Sequence, residues 1–280
     1  MRYVSFRTGE ASAQPGILEN DLVRRIDCAT LRDFIALPPH ERARHVTSEA
    51  LSLAEVRFEA PVRPARNVFC VGRNYLEHAK EGARASGHDL TLPEVPTFFT
   101  KAPSAIAAPE ATLHFEARVS SQYDFEAELA IVIGMRCKDV AENAWREVVF
   151  GYTCVNDVTA RDLQRAHGQW FKGKSLDDAC PIGPWIVSGD ELDAQNLEIT
   201  FRLNGVEKQH SNTSQMIFKI PRLIAQLSLG MTLEPGDVIA TGTPEGVGFA
   251  RNPPEFLRDG DEMAVEIEGI GTLRNRVAIR

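Results

Sequence analysis

The sequence predicts a mixed α/β, β-rich fold, and three observations carry that expectation. Apolar residues alternate with polar ones at a period of two along several stretches. Asn204-Gly205 follows one such stretch as a hairpin turn. Candidate strands greatly outnumber strand–helix–strand units, which argues against a doubly wound sheet. The 280 residues suit one large domain, or one domain with a small appendage. Hydrophobic residues make up 43% and charged residues 25%, so a sizeable core is expected and disorder is not.

Residues 1–62 read as a small N-terminal domain and residues 63–280 as the main one. In the first, Tyr3 to Phe6 and Leu22 to Ile26 are strand-like. Leu31 to Leu37 is helical until Pro38-Pro39 stops it, and His40 to about Leu53 has a polar, helix-like pattern. Ala60 to Asn67, with two prolines, is the linker candidate. In the second domain, Val68 to Val71 is a short strand of the buried type, and a helix covers about Tyr75 to Arg84. Phe125 to Ile133 alternates strictly, Gly151 to Asn156 is a strand, and Ala160 to His167 is helical. Ile199, Phe201 and Leu203 line one face of a hairpin arm, and Pro221 to Ser228 is a helix. Met263, Val265 and Ile267 share a face of a late strand before Gly269 to Gly271 turns the chain back.

The formal net charge of −8 argues against nucleic acid or an anionic membrane as the main partner. A small acidic substrate stays compatible with it, because a bound dication reverses the local field. No apolar run approaches the roughly 20 residues of a membrane helix. The N-terminal MRYVSFRTGE has no apolar stretch behind its basic residue, as a secretory signal would. The five cysteines (Cys28, Cys70, Cys137, Cys154 and Cys180) are odd in number and widely spaced, so they read as reduced, buried thiols of a cytoplasmic protein.

The most informative segment is Asp124 to Gly134. On a strand, Phe125, Ala127, Leu129, Ile131 and Ile133 share the core face. Glu126 and Glu128 then share the other face, with Cα atoms about 7 Å apart. That face continues into Ala130 and Val132, so the acids are drawn into a partly buried place where they repel each other and lose hydration. A hard cation relieves both penalties; a solvated outer face is the alternative. Asp157 sits where the next strand ends, as a third carboxylate or as a turn residue. Thr159 and Asp162 have capping-box spacing.

Gly168 to Ser175 matches G-x-x-x-x-G-K-S, but it follows a helix and runs into Pro181, Gly183 and Pro184, so the context refutes a phosphate loop. Lys174 keeps its interest as an ammonium among apolar neighbours, with a surface lysine as the alternative. His78 and Glu81 lie on one face of a helix, a spacing that suits a general base or an exposed ion pair. That helix is expected to dissolve at Gly82, Ser86 and Gly87, as a lid would. Val238 to Gly248 is a strand entering a glycine-rich loop, which can aim backbone N–H groups and the Thr243 hydroxyl at a carboxylate or be an ordinary tight turn.

Taken in order, these segments resemble the fumarylacetoacetate hydrolase family. The match is carried by Gly72-Arg-Asn-Tyr-x-x-His78, Lys101-Ala-Pro-Ser104, Glu126-x-Glu128, Asn156-Asp157 with Thr159-Ala-Arg-Asp162, Gly173-Lys-Ser175 with Pro181-x-Gly-Pro184, Thr213-Ser-x-Met216 and Thr241-Gly-Thr-Pro-x-Gly-Val-Gly248. It extends from about Val68 to the C-terminus. The resemblance implies a β-sandwich roll with a small N-terminal α/β domain, in a homodimer. It implies Mg²⁺ or Mn²⁺ held by Glu126, Glu128 and Asp157, with Lys174 beside the metal and His78 and Glu81 as a dyad on a lid. Gln164, Thr243 and Lys101 would contact the substrate. The implied reaction is hydrolysis of a C–C bond in an acylpyruvate-type 2,4-dioxo acid. His78 would activate water, and an enolate would leave towards the metal and Lys174. Decarboxylation of an oxaloacetate-type acid and isomerisation of a 2-hydroxydienoate pass through the same enolate and stay open. A binding protein without catalysis is the alternative of a different class.

Overall fold

The computed structural model describes residues 1–87 and 89–280. Its N-terminal part contains β1 (Arg2–Arg7), β2 (Gln14–Glu19), β3 (Leu22–Ile26), α1 (Leu31–Ala36), α2 (Pro39–Arg42), β4 (Val46–Ser52) and β5 (Arg57–Glu59). There follow β6 (Val68–Gly72), α3 (Leu76–Ser86), β7 (Thr97–Lys101), β8 (Ile106–Ala107), β9 (Thr112–Phe115), β10 (Tyr123–Asp124) and β11 (Ala127–Ile133). Next come α4 (Trp145–Val148), β12 (Val149–Asn156), β13 (Thr159–Ala160), α5 (Arg161–Ala166), α6 (Phe171–Lys174) and β14 (Cys180–Ser188). The last elements are β15 (Glu198–Leu203), β16 (Val206–Asn212), α7 (Ile220–Ser228), β17 (Val238–Ala240), β18 (Glu262–Ile267) and β19 (Gly271–Ile279).

Strands dominate, as expected. A twelve-stranded sheet runs β4-β3-β2-β1-β14-β12-β11-β17-β6-β7, with β5 against β1 and β8 against β14. A five-stranded sheet runs β16-β15-β18-β19-β9. Between the two lies the larger core, where Leu129 and Ile131 of β11 and Cys154 of β12 belong to one cluster with Ile199, Phe201, Val265 and Leu273. The rings of Phe125 and Phe201 stack with centroids 4.2 Å apart. The opposite face of β11, with Ala130 and Val132, joins a second core made with Leu31, Phe34 and Ile35 of α1. Burial on both faces is why β11 reads as a continuous apolar run after its acids. Strand β1 pairs with β14, Arg2 opposite Val187, so the N-terminal strands extend the large sheet. Ala60, Pro61, Val62 and Pro64 of the linker candidate are buried.

Local signals place several elements closely. Asn204 and Gly205 both take positive φ, 52° and 77°, and close the β15–β16 hairpin. Ile220, Leu223, Ile224 and Leu227 form the buried stripe of α7 at helical spacing. Two expectations fail. His40 to Leu53 is not one helix: after α2 and a single 3-10 turn at Ala43–His45 the chain becomes β4. There Val46 pairs opposite Ile26 and Leu51 opposite Val23, and these cross-strand contacts override a polar pattern with no buried stripe. Helix α3 does not dissolve at Gly82 but continues to Ser86, where Gly87 in the left-handed region caps it with its N–H on Ala83 and Arg84 carbonyls.

All five cysteines are free; Cys70, Cys154 and Cys180 are buried, Cys28 and Cys137 partly so. Burial pushes the Cys180 thiol up to about 12, so it is an inert apolar filler. Among the described residues no helix is long and apolar enough to cross a membrane.

Candidate active site

Strand β11 begins at Ala127, so Glu126 precedes the strand and Glu128 stands on it. Antiparallel pairing sets Ala127 opposite Asn156. One step beyond that pair, the Asp157 N–H donates to the Glu126 carbonyl at 2.8 Å, and the Glu126 N–H donates to Asn156 Oδ1 at 3.0 Å. The β11–β12 register thereby brings Asp157 to Glu126 and Glu128, some thirty residues earlier in sequence. One oxygen from each of Glu126, Glu128 and Asp157 lies within 4.8 Å of the others, and all three residues are buried.

Buried cations surround the three acids. Lys174 Nζ, from α6, donates to Glu126 Oε2 and to Asp157 Oδ2, each at 2.7 Å, and lies over the Phe99 ring. Lys101 Nζ donates to Asp157 Oδ1 at 2.5 Å and to the Val158 carbonyl at 3.0 Å. Arg161 Nε donates to Asp124 Oδ2 at 2.8 Å, and its Nη2 forms an ion pair with Glu126 Oε1 at 2.6 Å whose N–H points off the oxygen. Asp124, Glu126, Glu128 and Asp157 outnumber Lys101, Arg161 and Lys174 in this buried cluster.

The imbalance falls on Glu128. Burial, then Asp157 and Glu126, push its carboxyl well above the ordinary range; Lys174 and one hydrogen bond, from the Gly242 N–H at 2.8 Å, oppose them. Burial also opposes ionisation of Glu126, but Lys174 and Arg161 outweigh it and hold that carboxyl at about 2. For Lys174, Asp157 and Glu126 outweigh burial and raise its pKa, so it is an ammonium, able to stabilise an oxyanion and unsuited to act as a base. An all-oxygen set with one uncompensated carboxylate fits a hard divalent cation.

The second group sits on α3. Asn74 anchors the start of this helix by donating to the Phe218 and Thr241 carbonyls at 3.1 and 2.8 Å and accepting from the Phe218 N–H at 2.7 Å. One turn on, His78 Nδ1 lies 2.9 Å from Glu81 Oε1. With Nδ1–H held by the carboxylate, Nε2 is left as the proton acceptor. His78, Glu126, Glu128, Lys174 and Thr243 all line one cavity of about 930 Å³, together with Gln164, Phe99 and Trp170.

The structure thus brings His78, Glu126, Glu128, Lys174, Thr243 and Gln164 to one cavity, with Asp157 and Glu81 directly behind. Lys101, expected to contact substrate, is fully buried behind Asp157 and is absent from the described cavity lining. The capping box is also not formed: Thr159 Oγ1 donates to the Asp157 carbonyl, and Asp162 accepts from Ser120 Oγ and the Leu163 N–H. The glycine-rich loop does aim N–H groups at carboxylates, but at the protein's own. Gly242 serves Glu128, Gly246 serves Glu81 at 2.9 Å, and Gly248 serves Asp124 at 2.7 Å. The Thr243 hydroxyl accepts from Gln209 Nε2 at 2.8 Å.

The phosphate-loop-like stretch has another cause. A Cβ on Gly173 would meet the backbone of Gln164 at 2.5 Å and of Ala160 at 2.7 Å, so glycine lets α6 press against α5. Lys174 then reaches the carboxylates, and Ser175 Oγ accepts the Ala102 N–H at 3.0 Å. Sequence reasoning gave no role to Asp124, Arg161, Asn74 or Gln209. For Asp124 the signal was present, since it continues the alternation of Glu126 and Glu128 by one step. For Gln209, whose Oε1 accepts the Ala127 N–H at 3.0 Å, no local signal exists.

A family model described as "Fumarylacetoacetate (FAA) hydrolase C-terminal" matches residues 67–278. Oxaloacetate tautomerase YisK of Bacillus subtilis is 46% identical over 228 residues, covering 81% of this chain and 74% of that protein. Among solved structures, fumarylacetoacetate hydrolase from psychrophilic Exiguobacterium antarcticum superposes with a TM-score of 0.86 at 40% identity, covering 100% of both chains. A 5-carboxymethyl-2-hydroxymuconate delta-isomerase from Mycobacterium smegmatis gives a TM-score of 0.84 at 36% identity, again covering 100% of both.

Proposed function

The chain belongs to the fumarylacetoacetate hydrolase family, and from that premise we propose that it is an enzyme that moves a proton on a small 2-oxo acid through its enolate, as a tautomerase or isomerase. The observation that carries this reading is the convergence on one cavity of a paired imidazole, His78, a charged ammonium, Lys174, and two carboxylates of the triad, Glu126 and Glu128, with Asp157 held behind them by Lys174. Glu126, Glu128 and Asp157 would hold Mg²⁺ or Mn²⁺. Bound there, the ion would supply positive charge that favours the enolate over the keto acid. His78 Nε2 takes a proton from the carbon next to the keto group, the C–H electron pair becomes the C=C bond of the enolate, and the carbonyl π pair moves onto the keto oxygen. Glu81 holds the imidazolium that forms, and Lys174 faces the developing oxyanion. Return of the proton to carbon or oxygen ends the cycle. The substrate carboxylate would lie by Thr243, with Gln164 beside the rest of the molecule.

Cleavage of an acylpyruvate C–C bond is the second reading. The oriented His78–Glu81 dyad favours it, because the same base can take its proton from water. Oxaloacetate enol loss and acylpyruvate cleavage, each followed in ultraviolet light with Mg²⁺ and with Mn²⁺, separate the two. Accelerated enol–keto exchange without cleavage supports the first reading and cleavage the second. Folded, metal-loaded protein inert in both assays sinks both.

A further inference from the structure

Gly246 is held from two sides. Its N–H donates to Glu81 Oε2 at 2.9 Å, while Glu81 Oε1 faces His78 Nδ1. Its carbonyl accepts from Arg251 Nε at 3.1 Å. Arg251 Nη2 donates in turn to the Lys208 carbonyl of β16 at 2.6 Å. A Cβ on Gly246, whose φ is +98°, would meet that same Lys208 oxygen at 2.1 Å, so loop and strand are in direct backbone contact. Gln209, the next residue of β16, holds Thr243 Oγ1 and the Pro244 carbonyl, both at 2.8 Å. The loop that orients the dyad is therefore pinned to β16, and one guanidinium spans the joint.

We propose that Arg251, which lies outside the described cavity wall, is a positioning residue for proton transfer: it fixes the Gly246 backbone, whose N–H fixes Glu81 and through it the ring of His78. The fork geometry suits the role, since Nε and Nη2 point at two carbonyls at once, which a lysine's single nitrogen cannot reproduce. Arg251 is half-buried and also lies 3.7 Å from Glu255 Oε2, a contact too long to set its orientation.

The inference rests on the reading of His78 as the proton-moving base, and its test separates the two. Arg251→Gln is made in the wild-type chain and in His78→Ala. Rates are measured for oxaloacetate enol–keto exchange, Mg²⁺ affinity by calorimetry, and the ring ¹⁵N resonances of His78, assigned by difference from His78→Ala. In the wild-type background kcat falls on the order of tenfold, as for a slightly misplaced base, with KM and Mg²⁺ affinity unchanged. In His78→Ala the same substitution has no further effect, because the pathway it acts through is gone. The His78 ring changes from the single tautomer to a mixture. Equal losses in both backgrounds, or an unchanged His78 spectrum, overturn the proposal. Should Arg251→Gln fail to fold, Arg251→Lys carries the same test with the same expected direction. If the wild-type enzyme turns over nothing, the functional reading fails, and the spectrum alone decides whether Arg251 orients the ring.

Discussion

Glu128 Oε2 accepts the N–H of Gly242 at 2.8 Å, so one member of the carboxylate triad is held by the backbone at the exit of β17. Gly242 has φ +99°, and a Cβ there would meet Asn74 Cβ at 2.8 Å and the Val71 carbonyl at 3.1 Å. Gly242→Ala should therefore strain the loop by about 1–3 kcal/mol and shift Glu128. Thermal unfolding should show the lower stability and calorimetry a weaker divalent-metal affinity. A variant with wild-type metal affinity would show that this hydrogen bond does not position Glu128.

Metal uptake should expel a proton. Because Glu128 sits well above its ordinary value in the metal-free fold, through burial first and then Asp157 and Glu126, it binds a proton that a cation must displace. Affinity for Mg²⁺ or Mn²⁺ should rise with pH below the raised folded value. The sign for stability is opposite in the metal-free protein: a raised carboxyl contributes below its unfolded value, about 4.3, and loses that contribution as pH rises towards the folded one. Metal at about a hundredfold excess over Kd should add ~2.7 kcal/mol. Calorimetry in two buffers of different ionisation enthalpy counts the proton. Full turnover after chelation would remove the metal from the reaction.

Base and triad should separate by mutation. His78→Ala should leave Mg²⁺ affinity nearly intact while proton transfer or hydrolysis falls by ~10²–10⁴. Glu126→Gln should weaken metal binding, so that every reaction fails together. Wild-type turnover in His78→Ala, with folding checked by circular dichroism, would place the base elsewhere.

Lys101 is a test of its own placement. Its ammonium is sealed against Asp157, so Lys101→Met leaves a buried charge short of a partner and should cost about 3–5 kcal/mol. A divalent cation would replace part of the missing counter-charge, so the gap between metal-free and metal-loaded melting temperatures should widen. An unchanged melting temperature with a raised KM would return Lys101 to the substrate.

Much of the site is legible in the sequence because its signals are local geometry. Period two places Glu126 and Glu128 on one face, helical pitch places His78 over Glu81, and Asn204-Gly205 closes a hairpin whatever surrounds it. The resemblance pointed to the fold from about Val68 onward and to Glu126, Glu128 and Asp157, which the structure brings together. Tertiary structure alone decided the partners. Whether Asp157 meets Glu126 depends on the β11–β12 register, and whether Lys101 faces substrate or Asp157 depends on which way the end of β7 is turned. The loop's N–H groups, read as aimed at a carboxylate or as an ordinary tight turn, serve Glu81 of α3 and, from the β10–β11 segment, Asp124 and Glu128, all more than a hundred residues away in sequence. Strand β4 is a strand because β3 offers it an edge. Backbone periodicity is a property of neighbouring residues, whereas hydrogen-bond partners and burial are properties of segments brought together from far apart, and a local pattern cannot encode them.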